Sequence, residues 1–268
     1  MLALAIQGEW AKIGPDFDRS WRTVGPRILV LMVAAQRGAA GDGANYLPAL
    51  LAETHQTAPL AATPNYGPLA GVASNGRPLD SLLYGGVIEA KQAVGAGASP
   101  ADGLAQGGRW LGMVSSSQVI DAATMAQGIS RVCRPAITGY IRTVSGGACK
   151  RCAVLAGKWY RYNASFERHP RCNCDGMETT ERFDKSKMLA DAKAEVKHVI
   201  ASGGVTDLTV AERAALSEGA DFSSIVNSRQ VTQFNRSLGH TRVEDIYREA
   251  TSRDEAIALL KDHGFIAR

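Results

Sequence analysis

Four of the five cysteines of this 268-residue chain lie in one segment, CKRCAVLAGKWYRYNASFERHPRCNC, at residues 149–174. The pattern is Cys-x-x-Cys, sixteen residues, then His-x-x-Cys-x-Cys. A Cys-x-x-Cys pair lets two thiolates converge on one side of a tight turn, at a separation that suits a tetrahedral Zn²⁺ ion, and a second group of ligands then closes the site. The predicted metal ligands are Cys149, Cys152, His169, Cys172 and Cys174.

The five candidate ligands compete for four positions, so a Cys₄ site and a Cys₃His site both stay open. Either set fills the coordination sphere of zinc and leaves no position for a reactive water. The spacing therefore favours a structural zinc over a catalytic one, and we expect that the chain is not an enzyme. Buried free thiols are the alternative interpretation of the paired cysteines. Cys133, outside the segment, is expected to be an ordinary thiol.

Catalytic zinc signatures do not fit the segment. A zinc deaminase requires His-x-Glu upstream and a proline before its Cys-x-x-Cys pair. The only histidine upstream of the segment is His55, in the sequence THQ, and Ala148 precedes Cys149. The chain also lacks the phosphate-binding, nucleophile-elbow and zinc-protease motifs.

The positive charge of the chain is concentrated around the cysteines. The net charge is +4, and residues 141–178 contain seven Lys or Arg against three Asp or Glu. Such a patch suits a nucleic-acid or acidic protein partner, and a solvated surface is the alternative. The aromatic residues of the segment either contact the same partner as the basic residues or form a small hydrophobic core. The weak candidates for a partner contact are Lys150, Arg151, Lys158, Trp159, Tyr160, Arg161, Arg168 and Arg171.

Hydrophobic periodicity predicts mostly helices before the segment. Residues 5–36 have a helical pattern that Pro15 and Pro26 are expected to break or kink, and a short helix follows that ends near His55. Residues 56–78 are rich in Pro, Gly and Ala and are expected to be a linker. Further helices are predicted at residues 79–95, 99–112 and 115–131, with Ser99 as an N-cap.

The pattern changes to a strand within residues 137–144, and GKWYRY (157–162) predicts a short hairpin. Helices then return, with capping boxes predicted at Thr209/Glu212, Thr241/Glu244 and Ser252/Glu255. The fold class is therefore α+β and mainly α, with a helical N-terminal region, a small central zinc-knuckle β-hairpin element and a helical C-terminal region. The expected domains are residues 1–134 and residues 135–268.

Composition indicates a folded globular protein, because 45% of the residues are hydrophobic and 21% are charged. The N-terminus lacks the basic region of a signal peptide, and no apolar stretch approaches the roughly 18–20 residues that span a bilayer. We therefore expect an intracellular chain, in which clustered cysteines are metal ligands more often than disulfides.

The cysteine segment and its flanking regions resemble a known protein family. SGGACKRCAVLAGKWYRYNASFERHPRCNC is similar to the zinc knuckle of the MuF-like minor head proteins of tailed bacteriophages, named after the F protein of phage Mu, and to the form found in actinobacteriophages above all. Three further stretches resemble the flanking regions of the family: FDRSWRTVGPRILVLMVAAQRGAA, LTVAERAALSEGADFSSIVNSRQ and EDIYREATSRDEAIALLKDHGFI. The resemblance covers most of the chain and is weakest at residues 56–78. It assigns metal binding to the four cysteines, with His169 as a ligand or as the partner of a ligand.

The resemblance implies a structural minor capsid protein of the virion. Members act in head morphogenesis, are docked on the portal inside the head, and some are thought to act in genome packaging or ejection. The portal protein is the main expected partner, and the major capsid protein and the packaged double-stranded DNA are further candidates. The implied location is the portal vertex, and the host cytoplasm during assembly. A zinc-knuckle protein that binds the packaged DNA is the alternative function. Neither a membrane nor a small-molecule substrate is expected.

Overall fold

The computed structural model describes residues 1–144, 147–166, 168–170, 172, 174–181, 187–228 and 241–266. Helices dominate these residues, and one small three-stranded sheet lies at the centre of the chain. This confirms the predicted fold class. Among the described helices, none combines the length and the apolar character that a membrane span requires.

The chain divides into two compact units that alternate along the sequence. The first contains Met1–Ile141 and Trp159–Met188, and the second contains Arg142–Lys158 and Leu189–Arg268. The predicted domain boundary between residues 134 and 135 stays a prediction.

The first unit contains five helices before the sheet. Their bounds are α1 Leu2–Trp10, α2 Phe17–Glu53, α3 Leu79–Leu83, α4 Gly85–Gly95 and α5 Pro100–Val132. Apolar residues of these helices form its main core around Ile28, Met32 and Leu111, each with no exposed surface. Ser99 caps α5 as predicted, because its side chain accepts a hydrogen bond from the backbone N–H of Asp102.

Two helices are longer than the sequence predicts. Helix α5 runs through residues 113–114 without a break, and α2 contains both Pro26 and Pro48. A proline inside a helix costs about 3 kcal/mol, which the burial of Val24, Ile28 and Met32 along the same helix offsets. Only the break near Pro15 is confirmed, since α2 begins after its N-cap Asp16.

The predicted linker at residues 56–78 is irregular apart from a short 3₁₀ turn at Gly67–Leu69. Two glutamines bind its backbone. The buried Gln36 amide donates to Val72 O and accepts from Gly71 N–H at 3.0 and 2.9 Å. Gln118 Oε1 accepts from Ser74 N–H at 2.8 Å. These bonds hold the linker against α2 and α5.

The sheet has the strand order β2-β1-β3, with β1 at Gly139–Val144, β2 at Trp159–Arg161 and β3 at Cys174–Thr179. The predicted central β element is thus present, but β2 pairs antiparallel with β1 instead of folding back within residues 157–162. Tyr140 pairs with Tyr160 in this register, and their rings stack at 5.3 Å. The aromatic side chains of the segment thus contribute to a small core.

The second unit is helical. Its elements are α6 Lys150–Leu155, α7 Lys187–Ala201, α8 Val210–Ser217, α9 Phe222–Ser228, α10 Val243–Glu249 and α11 Arg253–Asp262; the first two residues of α7 belong to the first unit. The Thr209/Glu212 capping box is confirmed, and Ser252 caps α11. The box at Thr241/Glu244 is wrong, because α10 begins after Arg242.

Close packing of α2 on α5 generates a prediction about two glycines of α2. A Cβ atom at Gly43 would lie 2.2 Å from the backbone oxygen of Ala123, whereas a Cβ atom at Gly41 meets nothing within 4 Å. We expect Gly43→Ala to lower the free energy of unfolding by about 1–3 kcal/mol through overpacking. Gly41→Ala should raise it by about 0.5–1 kcal/mol through helix propensity. Urea denaturation measures both, and equal effects of the two variants would contradict the packing described.

Candidate metal centre

The first cysteine pair is held by a short helix of the second unit. Cys149 is the N-cap of α6, and its Sγ accepts a hydrogen bond from the backbone N–H of Cys152 at 3.4 Å. Cys152 lies one turn further on and is 1% exposed. The two sulfur atoms lie within 4.8 Å of each other. Neither thiol forms a disulfide, so this unit presents a two-sulfur group.

Buried charges fix the position of α6. Lys150 is 5% exposed, and its Nζ donates to Glu212 Oε1 and Oε2 at 2.8 and 2.9 Å. Glu212 also accepts from the backbone N–H of Thr209, which completes the capping box of α8. The N–H of Lys150 donates to Asp207 Oδ1 at 2.6 Å. Because breaking a buried ion pair costs about 3–5 kcal/mol, these bonds keep the Cys149 turn in one place.

A guanidinium group also faces the first pair. Arg142 of β1 is buried, and its Nη2 lies 3.9 Å from Cys152 Sγ, within hydrogen-bonding distance for sulfur. A guanidinium donor at this distance can hold the Cys152 sulfur atom in position as a metal ligand.

The second cysteine pair leads into β3 in the first unit. Cys172 and Cys174 are both buried, and the N–H of Cys174 donates to Cys172 Sγ at 3.4 Å. Their sulfur atoms also lie within 4.8 Å of each other. The backbone N–H of Cys172 donates to His169 O at 3.1 Å, which closes a turn over Pro170. Each pair therefore has the same feature, a backbone amide that donates to sulfur.

His169 lies at the surface. Its Nδ1 is 2.8 Å from Pro170 O. A carbonyl oxygen can only accept, so Nδ1 donates in this contact, and in a neutral imidazole Nε2 would be the nitrogen that could bind a metal. This tautomer fits His169 as a fifth candidate ligand.

The donor atoms fit a metal ion. Each cysteine pair offers two sulfur atoms that could bind one, and none of the cysteines is oxidised to a disulfide. Sulfur donors with amide N–H partners are typical of sites for zinc and other thiophilic metals.

Comparisons of the chain with protein-family models, with curated proteins and with solved structures found no match. The resemblance to MuF-like proteins therefore depends on the motifs quoted above.

The residues predicted to contact a partner differ in their exposure. Arg151, Lys158 and Arg161 are exposed, and Trp159, Tyr160 and Arg168 are half-buried. The Nζ atom of Lys150 is buried against Glu212. Arg171 lies outside the described residues.

Sequence reasoning missed a buried carboxyl group on the strand that begins at Cys174. Glu178 of β3 has no exposed surface and accepts from Arg131 Nη1 of α5 at 3.0 Å. Burial raises the pKa of Glu178 to about 7, and the neighbouring Arg131 opposes this shift. The signal in the sequence was the alternation along β3, which places Cys174, Gly176 and Glu178 on one face.

The pKa of Glu178 predicts a pH dependence of stability. The folded pKa of about 7 lies above the ordinary glutamate pKa of 4.5, so the folded chain binds the proton more tightly than the unfolded chain. The stabilisation from this proton is complete below about pH 4.5 and is lost as the pH rises through about 7. The loss should reach roughly 3 kcal/mol. Glu178→Gln keeps the shape without the charge, so the variant should lose this part of the pH dependence.

Urea denaturation of the wild type and of Glu178→Gln between pH 5 and pH 8 measures this effect, as the difference between the two stability curves. Parallel curves would show that the Glu178 carboxyl does not titrate in this range.

Proposed function

We propose that Cys149, Cys152, Cys172 and Cys174, with His169 as a ligand or as the partner of a ligand, bind one structural Zn²⁺ ion. The observation that carries this proposal is the repeated local geometry, two cysteine pairs that each have a backbone amide donating to sulfur. Zinc needs no redox partner, accepts thiolate and imidazole ligands, and stabilises segments that have little hydrophobic core of their own.

A matched pair of cysteine variants tests the zinc site. Cys152→Ser removes a buried candidate ligand, and Cys133→Ser removes the thiol outside the motif. We expect about one zinc per chain in the wild type and in Cys133→Ser, and much less in Cys152→Ser. Because zinc binding in small sites contributes about 10–16 kcal/mol, the loss should also lower the free energy of unfolding by at least about 3 kcal/mol.

Elemental analysis and urea denaturation, each with and without a chelator, measure these effects. The chelator should destabilise the wild type and Cys133→Ser and leave Cys152→Ser unchanged. Full zinc content in Cys152→Ser would refute the assignment.

We further propose that the protein is a structural minor capsid protein of a tailed phage, docked on the portal inside the head. The support is the sequence resemblance, whose most specific part is the cysteine segment. In this role the zinc ion would hold the segment in shape, while the helices supply the protein contacts. No catalytic step is proposed.

Two measurements test the virion role. Mass spectrometry of purified particles should find the protein at a few copies per virion, and pull-down with the phage's portal protein should retain the wild type. The zinc-free Cys152→Ser variant should lose portal binding and Cys133→Ser should keep it. Absence from the particles together with no portal binding would refute the role.

DNA binding is the second candidate function, and the exposure of Lys158, just before β2, and of Arg161, its last residue, favours it. Contacts from these residues to phosphates would release counterions, so affinity would fall steeply with salt concentration. The double substitution Lys158→Ala/Arg161→Ala should reduce the salt slope by about 2, one for each lost contact. Arg109→Ala on α5 is the control. A flat salt dependence of the wild type would exclude this function.

A further inference from the structure

A cavity of about 580 Å³ opens beside the second half of α5, within the first unit. Its volume lies in the range of small-molecule binding sites. Four of its lining residues share one face of α5 at helical spacing: Asp121, Thr124, Gly128 and Arg131. The segment after β2 contributes Arg168 to the lining, and β3 contributes Gly176.

Arg131 is fixed at one side of this cavity. Its Nη1 donates to Glu178 at 3.0 Å and its Nε to Tyr162 O at 2.9 Å, while its guanidinium lies 4.1 Å from the centre of the Tyr140 ring. A Cβ atom at Gly128 would lie 3.6 Å from Arg131 Nη2, so this nitrogen lies beside the glycine that lines the cavity. The bonds to Nη1 and Nε hold the guanidinium in place before any ligand binds.

Arg168 is a second fixed guanidinium in the same cavity. It is half-buried, and it donates from Nη1 to Thr124 Oγ1 at 2.7 Å and from Nη2 to Cys172 O at 3.0 Å. Two pre-positioned arginines at one small cavity are typical of phosphate recognition, because guanidinium groups match the oxygen atoms of phosphate esters.

The third charged group that lines the cavity is a carboxylate. Asp121 is half-buried and accepts no hydrogen bond from the part of the chain that the structure describes. It lies ten residues before Arg131 on α5, which is about 15 Å along the helix axis. A carboxylate repels phosphate but accepts hydrogen bonds from hydroxyl groups. The cavity therefore combines groups for a phosphate with a group for hydroxyls.

We propose that this cavity binds a phosphorylated sugar, either free or as part of a nucleotide. The guanidinium groups of Arg131 and Arg168 bind the phosphate, and the carboxylate of Asp121 accepts hydrogen bonds from the sugar hydroxyls. This site lies apart from the proposed structural role, and it stands whether or not the protein is a virion component.

Isothermal titration calorimetry of the zinc-loaded 268-residue chain tests the proposal, with ribose 5-phosphate as the probe. We expect a dissociation constant below about 1 mM, corresponding to about −4 kcal/mol. Ribose without the phosphate is the matched control and should give no binding heat at the same concentrations. Equal binding of ribose, or no binding of ribose 5-phosphate, overturns the proposal.

Two leucine substitutions on α5 locate the binding. A Cβ atom at Gly128 meets only Arg131 Nη2, at 3.6 Å, so Gly128→Leu should fold and fill the cavity. Gly112→Leu adds the same side chain to the same helix, where a Cβ atom meets nothing within 4 Å. We expect Gly128→Leu to weaken binding of ribose 5-phosphate at least tenfold and Gly112→Leu to leave it unchanged. Undiminished binding in Gly128→Leu, or an equal loss in both variants, overturns the proposal.

Substitution of Asp121 distinguishes recognition of the sugar hydroxyls from recognition of the phosphate. Asp121→Asn should weaken binding of ribose 5-phosphate and leave binding of inorganic phosphate unchanged or slightly tighter. A parallel loss of both probes overturns the role given to Asp121.

The source of the phosphorylated sugar is resolved by two further probes. Adenosine 5′-monophosphate that binds more tightly than ribose 5-phosphate, with the same sensitivity to Gly128→Leu, identifies a nucleotide. Weaker binding of this nucleotide identifies a free sugar phosphate. A ten-nucleotide DNA strand without terminal phosphates should not bind at the cavity. If this strand alone bound, and Gly128→Leu weakened its binding, the proposal would be overturned.

Discussion

The burial of three cysteine side chains is the constraint on which the two cysteine-containing segments depend. Cys152, Cys172 and Cys174 are each buried without a disulfide, in segments whose regular elements are six residues long or shorter. Elements of this length bury little apolar surface, so the hydrophobic effect alone gives them little stability. Backbone amides donate to sulfur in both pairs, which supports the proposal that these side chains are metal ligands. A bound zinc ion would supply the missing stability.

Buried ion pairs position the two halves of the proposed zinc site. Lys150 with Glu212 holds the turn that carries Cys149 and Cys152, and Arg131 with Glu178 holds the strand that begins at Cys174. Such pairs add little net stability, but losing one partner leaves a costly unpaired charge, so they enforce one arrangement. Arg131 also lines the cavity beside α5. Its ion pair with Glu178 orders β3 and at the same time fixes the guanidinium group that we propose to bind phosphate.

Local signals in the sequence predicted the parts of the structure that local physics controls. Ser99 and the Thr209/Glu212 box mark helix starts because their hydrogen bonds lie within one turn. Pro26 misled the prediction, because burial along α2 outweighs a local penalty that the sequence shows directly. The pairing of β2 with β1 and the burial of Lys150 depend on partners about 18 to 62 residues away, which periodicity does not reveal. The candidate ligands were visible because metal ligands follow spacing rules, whereas Arg142 and Glu178 follow none.

X-ray absorption spectroscopy at the zinc edge, on the protein purified without added metal, tests the central claim most directly. The account predicts a four-coordinate zinc with three or four sulfur atoms at about 2.3 Å, and with three sulfurs a nitrogen at about 2.0–2.1 Å as the fourth ligand. Four sulfur atoms would make His169 the partner of a ligand, whereas three sulfur atoms with one nitrogen would make it a ligand. Absence of zinc, or a zinc bound to oxygen and nitrogen atoms alone, would contradict the account.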